Sequence, residues 1–279
     1  MLTVVKYSNW MNELNFSCFN ATDFNLFFAL CVKAREQGTD IISLSYDELR
    51  KLTNYKSTSN DRFAEDITRM NQKLMSISCM IEAKPGLQIQ FNLFCTFWND
   101  KKCRKLTVRV NPEFLFVLND ILSNYTRFDL PPFVSLNSKY SKELFKHFRQ
   151  WSSVGKCSYS IDELREMLGV PKTYSNGLFY SKILGPAIEE LSDKMCFSFL
   201  KCTPHYSKNR GHKVTGYTFT WKATKPRQTE KPMRNPVKVT SAAEARAIVM
   251  GTEKPKTSKA SAKKISTTPF NGWMVPEDL

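Results

Sequence analysis

Apolar side chains recur at helical spacing from Thr22 to Glu36, where Phe24, Phe27, Phe28 and Cys31 form one stripe that Thr22 or Asp23 caps and Gly38 ends. Ile41 to Leu44 follows as a short strand. The phrase Ser45-Tyr46-Asp47-Glu48-Leu49-Arg50 then opens a helix over Asp47 to Leu52, and Ser59 to Met75 reads as a third, burying Phe63, Ile67, Met70 and Leu74. The runs Ile77 to Glu82, Leu87 to Trp98 and Arg104 to Val110 alternate as strands, with Lys84-Pro85-Gly86 and Asn99-Asp100-Lys101-Lys102 as turns.

The order returns further along. Asn111-Pro112 opens a helix through Phe114, Val117, Leu118 and Ile121, and Asn124 to Leu136 is a connecting segment broken by Pro131-Pro132. Ser138 caps a helix whose Tyr140, Leu144, Phe148 and Trp151 form a stripe. Ser160-Ile161-Asp162-Glu163-Leu164-Arg165 then repeats the earlier phrase with one substitution. Both copies carry the Ser-x-x-Glu capping box, in which hydroxyl and carboxylate satisfy backbone N–H groups at a helix start. Gly169-Val170-Pro171 stops this helix. Gly177 to Lys194 forms the next, packing through Phe179, Ile183, Ile188 and Leu191, with a kink or loose turn expected at Pro186. Met195 to Lys201 and Lys213 to Trp221 pair as strands around a loop from Cys202 to His212.

Helix, turn, helix and hairpin in that order, twice, predict an α+β chain of two tandem winged-helix domains related by internal duplication. The expected boundaries are 1–123 for the first domain, 124–137 for the connection, 138–222 for the second domain and 223–279 for a tail. From Lys222 to Leu279 there are 12 Lys plus Arg against 5 Asp plus Glu and no periodicity, which predicts a basic disordered tail with at most a transient helix over Ala242 to Met250.

Composition narrows the function. A formal net charge of +15 over 279 residues implies a polyanionic partner, nucleic acid or an anionic membrane face. No stretch approaches a membrane span, and the first fifteen residues lack the pattern of a signal peptide, so a cytoplasmic protein is expected. The eight Cys fall mostly in apolar patterns without a C-x-x-C pair and read as reduced core thiols.

Lys172, Thr173, Tyr174, Ser175, Asn176, Tyr180, Ser181 and Lys182 line the turn and outer face of the second domain's last helix, and all can donate to phosphates or base edges. That spacing equally describes a solvated helix face. The balance shifts because Lys201, His205, Tyr206, Lys208, Asn209, Arg210, His212 and Lys213 form a basic wing beside the same helix. The equivalent first-domain residues are Lys56, Ser57, Thr58, Asn60, Arg62 and Arg69, weakened by Asp61, Glu65 and Asp66; a dimer surface is the other use for that domain. Cys196, Cys202, His205 and His212 are all metal-ligand types, but their spacing matches no structural zinc pattern, so neither metal nor cofactor is expected. Phosphate loops, nucleophile elbows and dinucleotide fingerprints are missing, and the three His form no His-x-His, which speaks against a rolling-circle nickase. A winged-helix transcriptional repressor remains compatible with the same residues.

Several motifs in order resemble the plasmid replication initiator (Rep, RepB-type) family. They are Asn137-Ser138-Lys139-Tyr140-Ser141-Lys142, the run from Ile161 to Tyr174, Ile183-Leu184-Gly185-Pro186-Ala187-Ile188, and in the first half Asn15-Phe16, Ala21-Thr22-Asp23 and Tyr125-Thr126-Arg127-Phe128, as in initiators of Gram-positive bacterial plasmids. The resemblance implies a non-enzymatic protein whose second domain reads repeated origin sites, the iterons, in double-stranded DNA. It implies that the first domain serves dimerisation and further DNA contact, with initiating monomers in equilibrium with repressing homodimers, and that the host initiator and replicative helicase are recruited. Where many relatives begin the reading helix with Lys or Arg, this chain has Leu178-Phe179-Tyr180-Ser181-Lys182, so base preference does not carry over.

Overall fold

The computed structural model describes residues 4–37, 41–84, 87–111, 118, 125–171, 173–194, 196–207 and 213–224. The chain opens with β1 (Val4–Ser8) and a 3-10 turn (Asn9–Glu13), followed by α1 (Ala21–Gln37), β2 (Ile41–Ser45), α2 (Tyr46–Thr53) and α3 (Asn60–Ser76). Next come β3 (Ser78–Lys84), β4 (Leu87–Asn92), β5 (Phe94–Asp100), β6 (Lys105–Val110), β7 (Tyr125–Asp129) and α4 (Leu130–Val134). The second half contains α5 (Lys139–Gln150), β8 (Lys156–Ser160), α6 (Ile161–Leu168), α7 (Asn176–Phe179), a π-helical turn (Tyr180–Leu184), α8 (Gly185–Asp193), β9 (Lys201–Tyr206) and β10 (Val214–Thr220).

Both Ser-x-x-Glu phrases make the bonds their spacing predicts. Glu48 N–H donates to Ser45 Oγ at 3.2 Å and Ser45 N–H to Glu48 Oε2 at 3.0 Å; the corresponding distances for Glu163 and Ser160 are 3.2 and 2.7 Å. These backbone N–H bonds hold both Glu carboxyls below their ordinary range. Each helix also ends in the left-handed region nine residues after its cap, at Asn54 (φ 49°) and Gly169 (φ 59°). Replacing Ser45 or Ser160 by alanine should each cost about 1 kcal/mol. Read as denaturation midpoints, the two losses should add, since the sites are far apart.

The sheets repeat as well. The first module orders its strands β2-β6-β5 and the second β8-β10-β9, all antiparallel, so in both the last strand lies in the middle. The β3–β4 hairpin is an insertion in the first copy. It splits the run expected from Leu87 to Trp98, because Leu93 is fully buried and its carbonyl accepts from Asn111 N–H at 3.0 Å, breaking the alternation between β4 and β5.

Two readings of the second half need correcting. Most of the stretch 124–137, expected to be a connecting segment, forms regular elements from Tyr125 on: β7 pairs with β1 from Val4↔Asp129 to Ser8↔Tyr125, and α4 buries Leu130 and Phe133. The strand expected over Met195 to Lys201 lies later, at Lys201–Tyr206. Cys196 N–H caps the preceding helix through Leu191 O at 3.1 Å, and Phe197 plugs the core against Phe145, Phe148 and Trp221. Its apolar residues therefore serve packing and not a sheet.

The modules meet on α5. Phe145 packs against Phe128 and Phe133 on one side and Phe197 on the other, so one aromatic cluster runs through both halves. The stripe expected for this helix is too narrow: Ser141, Lys142, Glu143, Phe145 and Lys146 are buried as well, while Trp151 is 42% exposed. Lys146 lies over the Phe16 ring at 4.3 Å and pairs with Glu143 at 2.8 Å. Not all the thiols are core groups either, for Cys18, Cys95 and Cys103 are exposed. The helix read through Phe114 to Ile121 lies outside the described residues except for the buried Leu118, and so does the whole tail beyond residue 224. Among the described residues no helix is long and apolar enough to cross a membrane.

Candidate nucleic-acid interface

The helix beginning at Asn176 is set in place by Arg165, the last residue of the repeated phrase. Its guanidinium donates to Tyr174 O at 2.7 Å and Asn176 Oδ1 at 3.1 Å, and stacks over the Phe179 ring at 5.3 Å. Arg50 does the same in the first module. It donates to Asn60 Oδ1 at 2.8 Å and Ser59 O at 2.9 Å, and lies over the Phe63 ring at 4.7 Å. Each module thus latches the turn and first residue of its third helix to the end of its second.

Pro186 does not break the second module's third helix. Proline lacks an N–H and its ring crowds the carbonyl four residues back; the wider π-helical turn over Tyr180–Leu184 absorbs both, letting α7 run into α8. Gly185 leaves room for the turn, since a Cβ there would press on Tyr180 O at 3.1 Å. The turn also moves the buried stripe by one position, to Leu184 and Ala187, leaving Ile188 half-buried. The opposite face is open: Ser175, Asn176, Gly177, Leu178, Tyr180, Ser181 and Lys182 are exposed. Tyr180 stacks on Tyr217 of β10 with ring centroids 5.9 Å apart, and Asn176 Nδ2 donates to Val214 O at 3.4 Å, which brings the helix start against the wing end of the sheet. Ser207 N–H closes the base of that wing on Lys213 O at 2.8 Å.

Residues 4–149 match the family description "Initiator Replication protein, WH1", and residues 160–221 match "Initiator Rep protein, WH2". The chain belongs to the Rep3 family of replication initiators. This initiator is 34% identical over 226 residues to a probable replication protein rep of Bifidobacterium longum, covering 80% of the present chain and 74% of that relative. Its fold resembles the Pi initiator protein solved in complex with iteron DNA, at a TM-score of 0.62 and 15% identity, over 80% of this chain and 98% of the other.

The initiator brings together only part of the set its sequence nominates. Thr173, Ser175, Tyr180, Ser181, Lys182 and Lys213 are exposed around one helix start and wing base, with Tyr174 half-buried beside them. Lys201 sits at the far end of β9 from the wing, roughly 16 Å along the strand. His205 is drawn onto the outer sheet face by Thr218 Oγ1 at 2.6 Å, away from the face that carries Tyr217 and Phe219. Both were assigned to the wing because the hairpin was placed too early. Asn176 and Asn60 turn their carbonyl oxygens to the arginine latches. Lys172, Lys208, Asn209, Arg210 and His212 lie outside the described residues.

In the first domain Lys56 and Arg62 are exposed and Ser57 is half-buried. Arg69 pairs with Asp66 on its own helix, and Lys73 with the buried Asp23; α1 is capped not by Thr22 or Asp23 but by Asn20, whose Oδ1 accepts from Asp23 N–H while its own N–H donates to the Asp23 carboxylate. Two kinds of residue escaped the sequence reading. The latch arginines sit in an obvious repeat, but their partners are mainly backbone carbonyls nothing in the sequence marks. Leu178 is apolar yet falls off the buried stripe, and it is 46% exposed on the first turn of the helix.

Proposed function

We propose that this initiator starts replication by binding repeated sites in double-stranded DNA with its second domain, placing the helix from Asn176 in the major groove and the wing on the phosphates. The observation that carries the reading is the open face of that helix, with Asn176, Tyr180, Ser181 and Lys182 exposed, held by Arg165 beside a wing base bearing Lys213. The Pi initiator, of similar fold, was solved on iteron DNA, which supports repeated sites as the target. The first domain would add contacts through Lys56 and Arg62 and mediate a homodimer in equilibrium with monomers. Binding would bend or destabilise an adjacent origin segment without catalysis, in the cytoplasm, with a host initiator and replicative helicase as recruited partners.

The test is binding of the full chain to duplex from its own replicon, by footprinting and gel shift. Several evenly spaced protected repeats are expected. Lys182→Ala with Lys213→Ala should weaken binding and flatten the dependence of log affinity on log salt by roughly 1.8, about 0.9 for each phosphate contact removed. Unchanged binding and slope would remove the helix and wing from the interface. A covalent 5′-phosphotyrosine adduct on supercoiled origin DNA would instead show catalysis.

A further inference from the structure

We propose that Leu178 is a specificity-determining residue that reads the 5-methyl group of a thymine in the bound site; this rests on the second domain's helix entering the major groove. Along that helix Phe179, Ile183, Leu184, Ala187 and Leu191 are each at most 4% exposed, whereas Leu178 is 46% exposed, so it alone among these apolar residues turns away from the core. Its position is the first turn, where Leu178 N–H bonds Ser175 Oγ at 3.3 Å. In a helix presented end-on to a groove, that turn reaches the base edges.

The surroundings single out the same residue. Gly177 before it has no side chain, and a Cβ there would meet nothing closer than Ser175 Oγ at 4.0 Å, so the backbone is bare and can approach a groove floor closely. Ser181 and Lys182, one turn later, are exposed and suited to phosphate or base oxygens. Tyr180 is braced against Tyr217 and holds its flank. An apolar side chain ringed by donors on a duplex-facing turn has one apolar counterpart in the major groove, the thymine methyl. This differs from the arginine-to-guanine contact that a basic helix start would make.

The probe is a duplex enriched by the full chain from a random-sequence pool, together with versions carrying deoxyuridine for each thymine in turn, which removes only the methyl. Wild type should lose about fourfold in affinity at one position per repeat, the factor for one buried methyl group. Leu178→Ala should lose about as much on the unmodified duplex and be indifferent to deoxyuridine there. Wild-type binding that is equally strong on every deoxyuridine duplex overturns the proposal and leaves the proposed function standing. Equal sensitivity in wild type and Leu178→Ala also overturns it, by assigning the methyl to another side chain. Failure to enrich any duplex would overturn the function itself.

Discussion

Replacing Arg165 by alanine is expected to cost about 2–3 kcal/mol of stability and to weaken specific DNA binding by up to about 30- to 140-fold. The guanidinium makes two charge-assisted hydrogen bonds, to Tyr174 O and Asn176 Oδ1, and covers the Phe179 ring. A hydrogen bond to a charged group contributes roughly 1.5–3 kcal/mol, and partial exposure puts the total toward the lower end. Without the latch, the turn from Thr173 to Ser175 is free to leave the position in which the helix start meets the wing. DNA binding must then restore that position, and affinity falls by up to the latch energy, a factor of ten for each 1.4 kcal/mol. Lysine at 165 should rescue only part, because an ammonium can bond the two acceptors that one guanidinium nitrogen serves but has no planar face to lay on the Phe179 ring.

The repeated latch supplies an internal control. Arg50→Ala removes the same bonds from Asn60, Ser59 and the Phe63 face, so its stability cost should be similar. If the second domain is the specific reader, Arg50→Ala should leave sequence discrimination nearly intact while Arg165→Ala abolishes much of it. Denaturation midpoints and competition gel shifts on both variants decide this. Equal losses of discrimination would mean that both third helices read bases, and no loss from Arg165→Ala would separate the latch from recognition.

What the sequence revealed follows from the range of the interactions. The caps at Ser45 and Ser160 act over three residues, and the Phe24, Phe27, Phe28 and Cys31 stripe over one or two turns, so both are written locally. The pairing of β7 with β1 joins residues more than 115 positions apart, and nothing near Tyr125 announces it; Pro131-Pro132 reads as a breaker although it opens α4. The Cys196 and Phe197 run imitates a strand because it is apolar, yet both consecutive side chains are buried in a packed turn. Site residues were legible as donors on a helix face. Their placement depended on the hairpin register, which moved Lys201 and His205 off the wing and kept Lys213 at its base. Lys142 and Lys146 were hidden most completely, since a polar letter on a helix predicts solvent.

Lys142 gives the clearest pH signature expected of the protein. Its side chain is fully buried, with Nζ donating to Asn25 Oδ1 at 2.7 Å and Phe133 O at 2.6 Å above the Phe133 ring. Burial pulls its pKa from 10.5 down to about 7, against the opposing fields of Glu190 and Cys196. Between those values the unfolded chain carries a proton that the folded chain has released. Unfolding therefore takes up a proton, and the Lys142 contribution to stability rises with pH from about 7 toward 10.5. From pH 7 to 8.5 the rise is about 1.5 kcal/mol. The buried thiols act in the opposite sense: burial pushes Cys157 up to about 12 and Cys202 to about 11, so above their ordinary value of 9 the unfolded chain ionises first and stability falls. The measurement is therefore the difference in unfolding free energy between wild type and Lys142→Met across pH 6.5 to 8.5, in which the thiol contributions common to both proteins cancel. That difference should climb in favour of wild type by about one proton's worth per pH unit. A flat difference would mean that Lys142 keeps its charge in the fold, with the two carbonyls serving an ammonium. If methionine at 142 prevents folding, the same difference taken between wild type and Lys142→Gln decides it.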